Sequence, residues 1–398
     1  MKIVYFVHCY PPAKGGLEYL SQQLVEMLAD HEVVVITGQG ETLDSYKTFS
    51  NFVPINRYEK NVIRLPIKKT QQKIANKLFG NLVRKFSIFS PWYFGPILSY
   101  SDKACDIIRS SDLIIAAGMP TRLFVDAACF AKKFHKKLVA LPAYHNVSYY
   151  NGNYLFQKTL DLSSKILVLS EKEQRELKST YKVSSGKIVH LSFSPYKLKD
   201  VDQQKRKIAS VIKRRINNFS NKTFTIGYVG QITRRKNLEL ISNFFRKYKK
   251  IFSNKGVKLR LVLAGVKTNT YLEIQQEMRK SFSQTEFVYN FSTDEKAGVF
   301  QNIDVFINPS KEESLGIVNF EAIFHGCLVL SHEESPFNYS ILKNDMAVSS
   351  ENDIFAHIVR ILDDPSMLEK IIYKQYDILD SYNFSKCAKV FLTSVQNC

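Results

Sequence analysis

Short apolar runs alternate with helix-like runs along nearly the whole chain. Val4 to Val7, Val33 to Ile36, Leu113 to Ala116, Leu138 to Leu141 and Ile166 to Leu169 are compact and apolar, as buried strands are. Between the first two lies LEYLSQQLVEMLAD, where Leu17, Leu20, Leu24 and Leu28 recur at helical spacing. Strand and helix in repetition predict a parallel sheet with crossover helices, an α/β fold.

The rhythm breaks at residues 199–222, KDVDQQKRKIASVIKRRINNFSNK, which are polar, basic and poor in large apolar side chains. A second series then begins: TIGYVG, RLVLAG, EFVYNF and DVFINPS, each followed by a helical pattern. The pattern predicts a first domain over 1–200, a basic linker over 201–222 and a second domain from 223 to 375. A length of 398 residues is enough for two cores of about 200 residues each. Two similar α/β halves in one chain imply a cleft between them, with ligands outside the carboxyl ends of the strands.

Composition narrows the partners. Hydrophobic residues make up 45 %, which excludes general disorder, and the net charge of +19 favours an anionic partner. The six cysteines are scattered without metal or CxxC spacing and read as reduced thiols. MKIVYFVHCYPP reads as a first strand rather than a signal peptide, and no run reaches the roughly 18 apolar residues of a spanning helix. The expected location is cytoplasmic.

The chemistry concentrates in the second half. DVFINPS (Asp304 to Ser310) is a strand, GIVNFEAIFHG a helix, and KEESLG the turn between them. Amides at Leu315, Gly316 and the helix start form a donor nest for phosphate, and Gly316 allows close approach. Glu313 in the turn and Glu321 on the helix would accept hydrogen bonds from hydroxyls, not phosphate. A ligand anionic in its middle and hydroxylated at both ends fits that array. On spacing alone, two solvated glutamates on a surface loop remain an open reading. TIGYVGQITRRKN adds Gln231, Arg234, Arg235 and Lys236 beyond a strand end, where cations would neutralise a diphosphate.

YVGQITRRKN together with EESLGIVNFEA resembles the donor half of the retaining glycosyltransferases of family 4 (glycosyl transferases group 1), which have the GT-B fold. The resemblance implies that Glu313 contacts the transferred sugar, that Glu321 contacts the nucleotide ribose and that Lys236 binds the diphosphate. The family's helper arginine is replaced by Gln231 here, a gap for Arg234 or Arg235 to fill, and the proline after the motif is Leu328. CYPPAKGGLEYL is similar to the family's glycine-rich first loop, with Gly15 and Gly16. PAYHN resembles the segment with the active-site histidine, matching His145; His8 is a weaker candidate. The usual Asn-Gly turn after KIVHLSF is replaced by SPYK. NFSKCAKVFLTSVQN is similar to a terminal helix, so residues 376–398 are expected to cross back to the first domain.

These matches imply a retaining, metal-independent hexosyltransferase that takes a nucleotide-diphosphate sugar and needs no cofactor. The expected acceptor is lipid-linked or a glycan, in cell-surface polysaccharide or glycoconjugate synthesis. A catalytically silent relative that binds nucleotide-sugar or scaffolds a glycan pathway is the alternative, kept open by Gln231. The Asp200 and Asp202 pair falls among linker lysines and reads as solvated, not as a metal site. Glycoside hydrolysis also uses two carboxylates but leaves the phosphate-binding features without a purpose. No GxGxxG follows the first strand, which disfavours a dinucleotide oxidoreductase, and charge without a reading module disfavours nucleic acid.

Residues 64–92 carry Lys68, Lys69, Lys73, Lys77, Arg84 and Lys85 beside Ile67, Ile74, Leu78, Leu82, Phe86 and Phe89, with Trp92 and Tyr93 beyond. A helix here has a basic and an apolar face, as helices lying in anionic membrane surfaces do. Peripheral attachment to the inner face of the cell membrane is the expectation. A helix packed on the first domain with a wet basic side is the competing reading.

Overall fold

The computed structural model describes residues 1–13, 15–40, 54–55, 59–82, 86, 96–145, 151–267, 270–289, 291, 293–342 and 346–398. Asn146 of the PAYHN segment, Arg84, Lys85, Phe89, Trp92 and Tyr93 of the basic segment, and Asn290 and Ser292 after the third strand of the second series lie outside them. The chain divides into two compact units: Met1–Leu191 with Lys386–Cys398, and Ser192–Ser385.

Unit 1 is built on β1 (Lys2–Phe6), α1 (Gly16–Met27), β2 (Glu32–Gly38), β3 (Val62–Leu65), α2 (Lys69–Leu82), α3 (Asp102–Ser110), β4 (Leu113–Ala117), α4 (Arg122–Lys133), β5 (Lys137–Leu141), α5 (Tyr154–Leu162), β6 (Lys165–Val168), α6 (Glu171–Tyr181) and β7 (Ile188–His190). The strands form one parallel sheet in the order β3-β2-β1-β4-β5-β6-β7. Ile3 pairs with Val33 on one side and Leu113 on the other. Strand order therefore reverses between β1 and β4, the place where open α/β sheets bind ligands. β4, LIIAA, is buried throughout, which is why its run is apolar rather than alternating. Side-chain oxygens start the helices: Ser101 caps α3, Asn153 caps α5 and Ser170 caps α6.

Unit 2 contains α7 (Leu198–Ser220), β8 (Thr223–Val229), α8 (Glu239–Asn254), β9 (Lys258–Gly265), α9 (Tyr271–Ser281), β10 (Thr285–Tyr289), α10 (Thr293–Gln301), β11 (Val305–Asn308), α11 (Ile317–Phe324), β12 (Leu328–His332), β13 (Ala347–Val348), α12 (Glu351–Asp363), α13 (Met367–Tyr376) and α14 (Ile378–Ser381). Its parallel sheet runs β10-β9-β8-β11-β12-β13, so its order reverses between β8 and β11. The last helix, α15 (Phe384–Gln396), belongs to unit 1 from Lys386 onward and buries Cys387, Phe391 and Val395. Lys137 of unit 1 donates to the Cys398 carbonyl. All six cysteines are free thiols.

The stretch expected to be a basic linker is a 23-residue helix, and unit 2 begins before it, at Ser192. α7 turns Val201, Ile208, Ile212, Arg215 and Phe219 inward. Arg215 is fully buried. Its guanidinium donates to the carbonyls of Ile303, Phe300 and His325 and pairs with Asp304 at 3.2 Å. Asp304 also accepts from the Thr225 amide at 2.9 Å and from Asn218 at 3.0 Å. A buried charge persists only when paired and hydrogen-bonded in this way. Asp200 lies in the first turn of α7, where an acid complements the helix dipole, and Asp202 is exposed.

α2 departs from an ordinary packed helix. It buries Gln72 and Ala75 against its own unit, while Ile74 (53 % exposed), Leu78 (55 %) and Leu82 (37 %) face outward. Gln72 holds the helix in place by accepting from the Ile97 amide at 2.7 Å. Ile74 and Leu78 wall an open groove of about 590 Å³ with Ile97, Leu98 and Phe130, and Lys68 and Arg122 also line it.

Candidate functional site

The two turns that follow β8 and β11 meet at the switch point of unit 2. Gly230 follows β8, and its carbonyl occupies the space where a Cβ on Gly265 would fall, 1.6 Å away. Only glycine at 265 lets the turn lie across the end of β9. The turn closes as a 3-10 segment, Arg234–Lys236, with Asn237 left-handed at φ 54. The Asn237 side chain, through Nδ2, donates to the Pro309 carbonyl at 3.1 Å, tying this turn to the one after β11.

That tie brings Lys236 to Glu313. Lys236 Nζ donates to Glu313 Oε1 at 2.6 Å, with side chains only 11 % and 16 % exposed. Beneath them the Tyr228 hydroxyl donates to the Gln231 carbonyl at 2.9 Å. Burial first, then the Glu313 charge, push the Tyr228 phenol well above its ordinary range, and Arg235 pulls it back. Arg235 is therefore electrostatically part of this cluster. Both arginines are exposed, but Arg234 is turned away to Glu277, at 2.7 and 2.8 Å, and to Glu273 at 3.5 Å on α9.

The KEESLG turn is held from below. Asn308 donates to Asn319 at 3.2 Å and accepts from the Ser310 amide at 3.3 Å. Gly316 opens α11 at φ 77, and a Cβ there would stand 2.6 Å from the Asn319 side-chain nitrogen. Glycine is thus required by both conformation and the neighbour. Leu315 is buried, and the first amides of α11 have no intrahelical carbonyl to reach.

Glu321 lies on α11. Both of its oxygens accept from Lys296 Nζ at 2.6 Å. Lys296, on α10, was not foreseen; it stands 25 residues before Glu321 with no local motif to announce it. His325, one turn after Glu321, is held neutral: burial, Arg215 and Lys296 lower its pKa to about 4. Gln231 is half-buried, and its carbonyl, rather than its side chain, has the defined role of accepting from Tyr228.

Unit 1 places the other expected residues. His145 follows β5 and is partly buried. The segment before it is anchored by Glu173, whose oxygens accept from the Tyr144 amide at 2.8 Å and the Leu169 amide at 2.7 Å. Burial raises the Glu173 carboxyl to about 8 against the pull of those two amides. Gly15 is the N-cap of α1 in extended conformation, and a Cβ there would stand 2.1 Å from Glu18 Oε2. A Cβ at Gly16 would meet nothing within 4 Å, which leaves that backbone open to approach.

Glu18 and His8 lie 3.6 Å apart, both buried. Burial raises Glu18 to about 7 and lowers His8 to about 4. With Cys9 they form the one group of three potential metal ligands among the described residues, within 4.8 Å of one another. Burial thus favours the neutral forms of both the Glu18 carboxyl and the His8 imidazole.

Comparison with known proteins reports the same architecture. Residues 210–377 match the family described as glycosyl transferases group 1. No curated protein matches the sequence. A trehalose-6-phosphate structure from E. coli bound with UDP-2-fluoro glucose superposes at TM-score 0.69 with 11 % identity, covering 100 % of this chain and 99 % of that one. Alr3699/HepE of Anabaena, in complex with UDP and glucose, superposes at 0.65 with 12 % identity, covering 100 % of both. Sucrose-phosphate synthase of Thermosynechococcus elongatus superposes at 0.64 with 15 % identity, covering 97 % and 96 %. At these identities the likeness establishes the fold: two Rossmann-like units in one chain, of the GT-B class.

Proposed function

We propose that this chain is a retaining glycosyltransferase that moves a hexose from a nucleoside-diphosphate sugar to a lipid-linked or glycan acceptor. One observation carries the reading: Lys236 and Glu313, from turns far apart in sequence, meet at 2.6 Å at the switch point of the sheet in the unit that matches the glycosyl transferases group 1 family. In this reading the cation for the diphosphate and the carboxylate for the sugar stand side by side, as a nucleotide-sugar requires. The UDP-sugar and UDP named for two structural neighbours make uridine the first donor base to test.

The reaction breaks the bond between the anomeric carbon and the diphosphate oxygen. Negative charge grows on the leaving diphosphate while the sugar becomes cation-like. Lys236, Arg235 and the amides at Leu315 and Gly316 stabilise the leaving group. Glu313 holds the transferred sugar, and Glu321 holds the ribose. The acceptor oxygen attacks the same face, and its proton passes to the leaving phosphate, so no protein base and no metal takes part.

α2 supports a membrane-bound acceptor. Its outward Ile74, Leu78 and Leu82 stand beside exposed Lys69, Lys73 and Lys77, the arrangement of a helix that lies in an anionic bilayer surface. No helix of the described residues is long and apolar enough to cross a membrane. Peripheral attachment on the cytoplasmic face, in cell-surface polysaccharide or glycoconjugate synthesis, is the corresponding setting. Arg234's engagement with Glu277 favours a second reading, a silent donor-binding relative, because one of the two candidates to replace the arginine absent at Gln231 is occupied elsewhere.

A donor screen by thermal shift and turnover tests this reading. One nucleotide-sugar should stabilise the fold, by about 2.7 kcal/mol at a hundred times its dissociation constant. Binding with turnover supports the transferase. Binding without turnover supports the silent relative, and no binding by UDP-, GDP- or ADP-sugars overturns both.

A further inference from the structure

Glu321 does not face its ligand site alone. Lys296 Nζ lies 2.6 Å from each of its oxygens, a symmetric contact that fixes the plane of the carboxylate. The two helices are held in register one turn further on. Phe300, four residues after Lys296, stacks on His325, four residues after Glu321, with ring centroids 5.5 Å apart and planes 10° from parallel. Residues four apart share a helix face, so the ring stack aims the Lys296 and Glu321 side chains at each other. The pair is only partly exposed, Lys296 at 29 % and Glu321 at 16 % of the side chain.

We propose that Lys296 is a positioning and specificity residue for the nucleotide: it locks Glu321 in the orientation that receives a ribose diol and cancels its charge beside the diphosphate. The inference rests on the donor-site reading above. A carboxylate next to a diphosphate repels it, and an adjacent ammonium removes that cost. The oxygens of Glu321 have lone pairs beyond those spent on Lys296, so two vicinal hydroxyls can still donate to them. The site should therefore select a nucleotide with a complete ribose over its deoxy counterpart, because a lost hydroxyl leaves a desolvated acceptor without a donor.

The test measures dissociation constants of UDP, GDP and ADP, of their 2′-deoxy forms and of pyrophosphate, for wild type, Lys296→Met and Lys296→Arg. For the nucleotide that binds wild type, a preference for ribose of about tenfold is expected. Lys296→Met should bring that ratio close to one, and Lys296→Arg should restore most of it. Pyrophosphate, which lacks a ribose, should lose less affinity than the nucleotide. Lys296→Gln replaces the methionine variant should that fail to fold. An unchanged ratio in the charge-free variant, even with a lowered Tm, assigns Lys296 a purely structural role and overturns the inference. Failure of all three nucleotides to bind wild type instead overturns the donor-site reading.

Discussion

Lys236 Nζ and Glu313 Oε1 lie 2.6 Å apart, each the counter-ion of the other. Their turns follow β8 and β11, neighbours in the sheet, so the contact is set by strand pairing, not by chain proximity. Under the proposed reading a diphosphate would compete for the lysine. On taking Lys236 it would also release Glu313 to accept from a sugar hydroxyl, so that occupation of the phosphate position would prepare the sugar position.

The two motif glutamates should separate in their effects. Glu321→Ala weakens nucleoside diphosphate binding about tenfold, since charge-assisted hydrogen bonds are lost. Glu313→Ala leaves that affinity within a few-fold and lowers turnover by about a hundredfold. Calorimetry and initial rates distinguish them; equal, negligible effects contradict the assignment.

The arginine missing at position 231 has a preferred substitute. Arg235 acts electrostatically on Tyr228 together with Glu313, whereas Arg234 is committed to Glu277 and Glu273. Arg235→Met should therefore raise the dissociation constant for a nucleoside diphosphate more than Arg234→Met does, and spare the monophosphate. The reverse ranking refutes this choice.

Vesicle sedimentation addresses α2. Each lysine near an anionic surface contributes about 1 kcal/mol, so replacing Lys68, Lys69, Lys73 and Lys77 by glutamate should lower binding by at least roughly a hundredfold. Ile74→Ser with Leu78→Ser should weaken the remainder without removing the salt dependence. Binding unchanged in the first variant would defeat the membrane reading.

Glu173 makes the stability of unit 1 depend on pH. Its carboxyl titrates at about 8 when folded, above the ordinary value of about 4.5. Between those values the folded state holds more protons than the unfolded one, so stability falls as pH rises through the window. Glu18, raised to about 7, acts with the same sign. Glu173→Gln should flatten part of the slope in melts between pH 5 and 8. It should also cost about 1–3 kcal/mol at pH 5, because its amide group faces a backbone N–H. A slope unchanged by the substitution excludes Glu173 as its source.

The strands were legible because buried parallel strands carry unbroken apolar runs, and Leu113 to Ala116 and Leu138 to Leu141 fall within β4 and β5. The glutamate pair was legible because its spacing is local. α7 was not. Among the described residues its buried stripe holds Val201, Ile208, Ile212 and Phe219 around Arg215, and an arginine at a core position reads as solvent-facing until its carbonyl partners, 85 to 110 residues away, are known. Lys296 escaped for the same reason: a cation's role lies in its partner, and only the fold supplies Glu321. On α2 the apolar and basic pattern was plain, but periodicity could not say which face points inward.

Arg215 also governs how this protein can be divided. A fragment starting at Thr223, where the composition changes, would discard the guanidinium that satisfies three carbonyls and pairs with Asp304, and would also lose the buried Val201, Ile208, Ile212 and Phe219. Each buried side chain of that kind contributes about 1.5–3 kcal/mol, so together they rival the whole stability margin of a domain. A donor-binding piece meant to stand alone must therefore carry its preceding 23-residue helix, however dispensable those lysines and arginines look on paper.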